Sequence, residues 1–217
     1  MKVIAIDTAG PVIGVSLAVD GSVTERTERV RRGAEGRLLP WVLELLSAQG
    51  LAVSDLDGIA VAKGPGAFTG LRVGLACGAG LAYGRGLPLW TEISLRSRAL
   101  RMGGPVLAAL DARKGRVYAA LYSGTGALLE GPSDIPPEEA ASWGGPGLLV
   151  TGEGALVYRE VFEAAERIVD PNAADPSVGM LATLAVEAFE RGEGGDPVKV
   201  EPLYVREPDA KPPKTGV

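Results

Sequence analysis

The sequence predicts an α/β protein built from two similar lobes, of which the second is smaller. The first reason is a repeated order of elements: strand, strand, strand, helix, strand, helix begins at Val3 and begins again at Val106. The second is that an aspartate, Asp7 or Asp111, follows the first strand of each copy. The third is size, because a chain of 217 residues that is 46% apolar can bury a substantial core, as one domain or as two small lobes.

The first lobe is predicted over residues 1–98. Its elements follow from the spacing of apolar residues and from the turn residues between them. They are three strands within Val3–Val23, a helix over Gly36–Gln49, a strand ending at Ala62, a helix from about Thr69 to Tyr83, and a short strand Leu87–Trp90. Pro40 is compatible with the first helix, because it falls near the first turn, where amide groups lack partners.

The second lobe is predicted over residues 99–217, after a hinge within Thr91–Gly104. Its elements repeat the first set in shorter form and end in a further helix and a Pro-rich tail that is expected to fray. They are three strands within Val106–Leu128, a helical piece over Pro137–Ser142, a strand Leu148–Thr151, a helix Ala155–Glu166, a helix Val178–Glu190, and the tail Glu207–Val217.

A glycine-rich turn, Lys63–Arg72 (KGPGAFTGLR), joins an apolar strand to a helix with almost no charge. Amide groups at a helix N-terminus can bind anions, and glycines allow a phosphate or another backbone segment to approach closely. The spacing of Gly64, Gly66 and Gly70 is one residue too long for the dinucleotide fingerprint, and the chain has no GxxxxGK[ST] motif. Phosphate contact and a tight structural turn therefore both remain open.

The duplicated order is that of the actin, sugar kinase and Hsp70 ATPase superfamily. We therefore predict a duplicated ribonuclease-H-like, actin-like (ASKHA) two-lobe fold with a reduced second lobe. In such enzymes a nucleotide lies in the cleft between the lobes, and an aspartate and a hydroxyl residue of the first hairpin lie near the metal and phosphates. The candidate nucleotide contacts are Asp7, Thr8, Lys63, Gly64 and Gly66.

The rest of a nucleotide site is incomplete in the sequence. The turn Asp111–Gly115 lacks the early glycine and hydroxyl that would let amide groups wrap a phosphate. The segment Thr151–Ala155 (TGEGA) resembles an adenosine-side glycine turn, although a tight connection explains it equally. Fold alone does not give function.

Composition excludes several classes of function. The chain contains no histidine, which excludes Ser-His-Asp and Cys-His nucleophile systems and leaves only carboxylates for a zinc or iron site, so no metal site is predicted. The single cysteine, Cys77, excludes an internal disulfide and is interpreted as a packing residue. No apolar run approaches the roughly 20 residues that span a bilayer, and the N-terminus does not continue as a signal peptide, so a cytoplasmic protein is expected.

The net charge of -5 argues against nucleic-acid binding by the chain alone. Five arginines nevertheless cluster between positions 26 and 37: Arg26, Arg29, Arg31, Arg32 and Arg37. We interpret them as a solvated edge, with a surface for a partner or for tRNA as the alternative.

The two helices of the first lobe are too apolar for a small lobe to cover every face. Gly70, Gly74, Gly78 and Ala82 recur every four residues, which predicts a groove that a partner helix could approach closely. Apolar surface that the lobe leaves exposed on such helices usually marks a partner site. The alternative is that both helices are buried inside the lobe. The predicted partner residues are Leu38, Leu39, Trp41, Val42, Leu45, Leu46, Thr69, Gly70, Arg72, Val73, Gly74, Cys77, Gly78 and Leu81.

Several segments resemble the bacterial TsaB family, also called YeaZ, in family order and over nearly the whole chain. The most specific is KGPGAFTGLRVGLACGAGLA, from Lys63. The others are IAIDTA, RLLPWVLELL, LDARKGRVYAALY, TGEGA and PLYVRE. One departure is Ala34-Glu35, where family members commonly have His-Ser, which puts any local role of that histidine in doubt.

The resemblance implies a non-catalytic subunit of the machinery that places threonylcarbamoyl on the adenosine beside the anticodon of tRNAs reading codons that begin with A. It implies that TsaD performs the transfer and forms a heterodimer with this chain, that TsaE engages the pair, that tRNA binds only through the complex, and that the isolated chain forms a homodimer. No cofactor is predicted for the chain alone, and ATP or ADP in the complex stays open. The alternatives are a small ATPase or kinase-like enzyme using Asp7, and a peptidase.

Overall fold

The computed structural model describes residues 1–206, so the tail expected to fray, Glu207–Val217, lies outside the described residues. It contains two five-stranded sheets. The first has the order β3-β2-β1-β4-β5, with β1 Lys2–Asp7, β2 Val12–Val19, β3 Ser22–Arg29, β4 Gly58–Ala62 and β5 Leu89–Glu92. The second has the order β10-β9-β6-β7-β8, with β6 Val106–Arg113, β7 Arg116–Tyr122, β8 Leu128–Ile135, β9 Leu149–Thr151 and β10 Ile168–Val169.

Strand pairing confirms the duplication. In the first sheet β1 is antiparallel to β2 and parallel to β4, and in the second β6 is antiparallel to β7 and parallel to β9. The third strand of each copy pairs antiparallel with the second, and the fifth pairs parallel with the fourth. The predicted ribonuclease-H-like, actin-like fold is therefore present in both lobes.

Seven helices occur in the described residues: α1 Leu38–Ala48, α2 Phe68–Arg85, α3 Ser94–Leu100, α4 Pro137–Ser142, α5 Glu153–Val157, α6 Arg159–Ala164 and α7 Val178–Glu190. Two short 3-10 turns lie at Val53–Asp55 and Pro197–Lys199. The hinge expected over Thr91–Gly104 contains a helix, α3. The single helix expected over Ala155–Glu166 is two short helices, because the chain leaves helical geometry at Tyr158.

The first sheet has helices on both faces. Alternate residues of a strand point to opposite faces, so Ile4 and Ile6 of β1 pack with α1 and α2, whereas Val3 and Ala5 pack with α7. Fully buried side chains of β1 and β4 line both cores. This explains why β1 and β4 read as continuous apolar runs rather than as alternating ones.

The second sheet is covered differently. One face packs with α4, α5 and α6 around the fully buried Phe162. The other face packs with α3 and also with Ala9 and Leu71 of the first lobe. The two lobes therefore share a continuous apolar contact, and α3 lies in it.

The predicted division at residue 98 is wrong for α7. Leu181, Ala182 and Ala185 of this helix are fully buried against β1 and β4 of the first sheet. The chain beyond α7 contacts the first lobe at Leu203, which donates its amide to the Lys63 carbonyl at 2.7 Å. The helix follows the second lobe in sequence but covers the first, because its buried residues pack on the sheet face opposite α1 and α2.

Within residues 1–206, no helix combines the length and the apolar character needed to cross a bilayer.

Candidate functional site

Asp7, predicted from the sequence as a candidate nucleotide contact, lies at the end of β1. Its Oδ2 accepts a hydrogen bond from Arg98 Nη1 at 2.7 Å, and its Oδ1 accepts from the Ala9 amide at 2.8 Å. The two charged side chains are 0% and 1% exposed. The carboxylate is thus neutralised by a guanidinium of the same chain and is closed to solvent.

Arg98 projects from α3 into this buried position. Besides Asp7 it donates to the carbonyl of Ser94 at 2.7 Å, whereas its Nε makes no hydrogen bond among the described residues. A charged group in this position is stabilised only while its partner is present, because the interior screens charge poorly. The sequence analysis identified Asp7 but missed Arg98, which is 91 positions away in the chain.

Glu153, at the start of α5, faces the same cleft from the second lobe. Burial raises the pKa of its carboxyl to about 7; Arg98 opposes this rise, and the negative charges of Asp7 and Asp111 add to it. Its Oε atoms lie over Gly10, at the turn that follows β1. Glu153 belongs to the TGEGA segment, but its burial was not predictable from the sequence.

The cleft between the lobes is small, with a volume of about 150 Å3. It is lined by residues of the two hairpin turns, of the end of β3 and of α5: Pro11, Arg29, Asp111, Arg113, Glu153, Leu156 and Val157. Neither Asp7 nor Lys63 lines it. The site predicted from the sequence is therefore not assembled around an open nucleotide-sized cavity.

The glycine-rich turn is packed against the protein itself. A Cβ at Gly66 would overlap the backbone of Ala9, and a Cβ at Gly64 would overlap the Leu203 carbonyl. Thr8 is 1% exposed, and its hydroxyl donates to the Gly70 carbonyl at 2.7 Å. Lys63 is half-buried, with its backbone bonded to Glu92 and Leu203. Of the two interpretations of this turn, the structure favours the tight structural turn.

The corresponding turns of the second lobe are also closed. Gly152 and Gly154 lie so close to the Ala109 carbonyl that any side chain would overlap it. Asp111 accepts a hydrogen bond from the Arg113 amide at 2.9 Å and one from the Tyr158 hydroxyl at 3.4 Å. The Asp111 carboxylate thus organises its own turn.

The expected groove of small residues is not open. A Cβ at Gly74 would lie less than 3.0 Å from the Thr8 hydroxyl, and one at Gly78 less than 3.0 Å from a methyl group of Val61. Gly70 faces the Thr8 carbonyl in the same way. The glycines let α2 approach its own sheet closely, so the prediction that they face a partner helix is wrong.

The apolar surface of these helices lies on the side away from the sheet. Leu39 and Leu43 of α1 are 46% and 49% exposed, and Tyr83 of α2 is 71% exposed. The exposed positions of α2 between Arg72 and Tyr83 are the small residues Ala76 and Gly80. We call Leu39, Leu43, Ala76, Gly80 and Tyr83 the outer helical face. The sequence analysis included Leu39 but not the other four.

The remaining predicted partner residues divide by burial. Buried in the core are Leu38, Trp41, Val42 and Leu46, which therefore cannot form a contact surface in this conformation. Half-buried beside the outer helical face are Leu45, Val73, Cys77 and Leu81, and exposed are Thr69 and Arg72. Burial also raises the pKa of the Cys77 thiol.

Arg72 belongs to an exposed cluster at the start of α2. Its guanidinium lies 3.8 Å from the ring centre of Phe68, and its Nε donates to the Tyr204 hydroxyl at 3.0 Å. The rings of Phe68 and Tyr204 stack with centres 5.1 Å apart. The cluster fixes the chain after α7 against α2, beside a shallow cavity of about 400 Å3.

No group of three or more carboxylate or cysteine side chains within residues 1–206 is arranged to hold a metal ion.

These features define a class of protein: a two-lobe α/β protein of the actin-like fold in which the aspartate at the end of the first strand is held in a buried ion pair. Residues 27–208 match the family model described as TsaD, tRNA N6-adenosine threonylcarbamoyltransferase. The chain is 31% identical to the tRNA threonylcarbamoyladenosine biosynthesis protein TsaB of Escherichia coli, over 95% of each chain. It belongs to the TsaB (YeaZ) family.

Solved structures agree with this assignment. YeaZ from Pseudomonas aeruginosa has a TM-score of 0.82 and 31% identity, and the match covers 94% of this chain and 99% of that one. A second P. aeruginosa structure, of a protein described as similar to the peptidase YeaZ, gives the same TM-score at 30% identity and the same coverage.

Proposed function

We propose that this chain is a non-catalytic subunit that binds TsaD and supports TsaD in transferring the threonylcarbamoyl group to the adenosine next to the anticodon of tRNAs that read codons beginning with A. Family membership supports the pathway, because the E. coli relative is named as a tRNA threonylcarbamoyladenosine biosynthesis protein. The match to the TsaD model supports a common fold with the transferase.

The buried ion pair between Asp7 and Arg98 is the observation that carries the proposal. An enzyme that used Asp7 to anchor a metal would need the carboxylate to face ligand or water, and here it is 0% exposed. Breaking a buried pair typically costs about 3 to 5 kcal/mol, because the remaining charge is left uncompensated. The pair therefore supports a structural role for Asp7.

The size of the cleft supports the same conclusion. Pockets for ligands of nucleotide size usually occupy about 300 to 1,000 Å3, whereas this cleft has a volume of about 150 Å3. The glycine turns that could wrap phosphates are filled by the backbone of Ala9, Leu203 and Ala109. We therefore propose that the chain alone binds no nucleotide. Binding of ATP or ADP in the assembled complex stays open.

The outer helical face supports a partner role. Leu39, Leu43 and Tyr83 leave a large part of their apolar surface in solvent, and the small residues between them allow a facing helix to come close. Exposed apolar surface of this kind usually marks a protein contact. We propose that TsaD docks here, that the isolated chain pairs with a second copy through the same face, and that TsaE and tRNA meet the chain only in the complex, in the cytoplasm.

The alternatives have less support. A small ATPase or kinase-like enzyme would need Asp7 free of Arg98. A peptidase is suggested only by the description of a structural relative, and the chain has no histidine. Its one cysteine, Cys77, is half-buried on α2, where burial disfavours the thiolate.

Docking can be tested with matched charge variants. We expect Leu39→Glu combined with Leu43→Glu to weaken TsaD binding at least tenfold, or about 1.4 kcal/mol, because two carboxylates would be desolvated in the contact. The control combines Leu128→Glu with Leu129→Glu, which are similarly exposed on β8. Calorimetric titration with TsaD measures both. Equal TsaD affinity for the two variants would remove the outer helical face from the proposal.

A further inference from the structure

Three exposed arginines where β3 ends have no side-chain hydrogen-bond or ion-pair partner among the residues that the structure describes. They are Arg29, Arg31 and Arg32. In residues 1–206, every other arginine except Arg85 places its guanidinium in an ion pair or hydrogen bond. This segment therefore carries three positive charges that no ion pair within residues 1–206 neutralises, in a chain with a net charge of -5.

Three acidic residues of β3 and α1 are already engaged. Glu28 pairs with Arg37 at 2.9 Å, and Glu25 accepts the Gly179 amide at 2.9 Å. Glu44 pairs with Arg26, whose guanidinium also lies 5.0 Å from the ring centre of Trp41. The other charged residues of β3 are thus engaged in contacts with α1, α7 and Arg37. Arg29, Arg31 and Arg32 face solvent.

This arginine segment begins at the cleft between the lobes. Arg29 lines the cleft, and the Val30 amide is bonded to the Pro11 carbonyl in the first hairpin turn. From the opposite lobe Arg113 lines the same cleft, with its side chain 80% exposed. We call Arg29, Arg31, Arg32 and Arg113 the basic rim.

We propose that the basic rim binds phosphate groups of the tRNA backbone when the chain is part of its complex. This inference rests on the proposed function for the presence of tRNA. Guanidinium groups bind phosphate oxygens through paired donors. Arg29, Arg31 and Arg32 can do so without first breaking an ion pair, whereas Arg113 is paired with Asp111 at 3.2 Å and contributes an exposed positive charge. A cleft of about 150 Å3 is too small to take in a nucleotide, so the contact is with the backbone and independent of base sequence.

The test uses the assembled complex with TsaD. The variant combines Arg29→Ala, Arg31→Ala and Arg32→Ala. The control combines Arg159→Ala, Arg191→Ala and Lys199→Ala, which removes the same three charges from exposed positions elsewhere. The affinity of each complex for tRNA is measured between 50 and 200 mM salt.

In a plot of log affinity against log salt concentration, we expect the slope for the rim variant to be shallower than that for wild type by about 2 to 3. Each lost phosphate contact removes about 0.7 to 0.9 from this slope. Over that fourfold range of salt, wild type then loses about 20- to 40-fold more affinity than the variant. The control keeps the wild-type slope.

A wild-type slope for a rim variant that is folded and assembled would overturn the proposal. So would a rim variant that no longer binds TsaD, because the arginines would then contact an acidic protein surface. If the wild-type chain itself fails to join TsaD, the proposed function is overturned and this inference with it, so the two failures are distinguishable.

Discussion

Gly78 shows how a single residue sets the distance between a helix and its sheet. A Cβ at this position would lie less than 3.0 Å from Val61, a fully buried residue of the central strand β4. We expect Gly78→Ala to destabilise the protein by about 2 kcal/mol, because overpacking of about 3 kcal/mol exceeds a gain of about 1 kcal/mol in helix propensity. Urea unfolding followed by circular dichroism measures the difference.

Gly80 on the same helix is the matched control. It is exposed, and a Cβ there would meet no atom within 4 Å. Gly80→Ala should stabilise the protein by about 1 kcal/mol. If the two substitutions changed stability in the same direction, the packing of α2 described above would be wrong.

Glu153 should make stability depend on pH. Its pKa in the folded protein is about 7, raised from the usual value of 4.5. The folded state therefore holds a proton that the unfolded state has released, so this group reduces stability progressively as pH rises from about 4.5 to 7, by up to about 3 kcal/mol.

The measurement is the melting temperature of wild type and of Glu153→Gln at pH 5 and pH 8. The advantage of Glu153→Gln over wild type should be larger at pH 8, since the amide stays neutral. A constant difference between the two proteins would show that this carboxyl titrates normally.

At the scale of the residue, the sequence predicted the aspartate but not its environment. Asp7 was identifiable from its place after a buried strand. Arg98 was not, because it lies in a segment that looked like a hinge and reaches Asp7 only through the packing of α3 between the lobes. Side-chain pairs so distant in sequence leave no local pattern.

Helix α7 is the element whose place in the sequence differs most from its place in the structure, because it follows the second lobe but packs on the first. Leu181 is fully buried between α7 and the first sheet. Leu181→Ala should destabilise the protein by about 2 to 5 kcal/mol through a core cavity, whereas Thr183→Ala on the exposed side of the same helix should change stability by at most about 0.5 kcal/mol.

Hydrogen exchange locates the effect of Leu181→Ala. Amide protection should fall first in β1 and β4, which α7 covers. A loss confined to β6 and β7 would instead assign α7 to the second lobe, as the division at residue 98 had predicted.

The bounds of the helices were easier to predict from the sequence than the elements against which they pack. The expected bounds of α4 and α7 agree with the structure, because apolar spacing marks a helix wherever it packs. The spacing of Gly70, Gly74 and Gly78 was recognised in the sequence, but the surface that these glycines face was not. Small residues four apart allow close approach to a sheet as well as to a partner helix. Strand β10 has only two residues and was missed.

At the scale of the whole molecule, the two lobes are tied together at two places. Helix α3 reaches both, since Arg98 pairs with Asp7 and Arg101 pairs with Asp170 at 2.5 Å. The segment after α7 does the same, with Leu203 bonded to the first lobe and Arg206 paired with Asp134 of the second. Such ties oppose the opening of the cleft that nucleotide exchange in this fold would need, which fits a subunit that acts through its outer surface.

The central claim is that the chain acts through TsaD and performs no chemistry itself. The most direct measurement is transfer of threonylcarbamoyl to tRNA, in a reconstituted system supplied with threonylcarbamoyl-adenylate, with TsaD, TsaE and this chain omitted one at a time. We expect no modified tRNA and no ATP turnover from the chain alone. We expect a large loss of modified tRNA when the chain is withheld from the complete system. Product or ATP turnover from the pure chain, abolished by Asp7→Ala, would contradict the central claim.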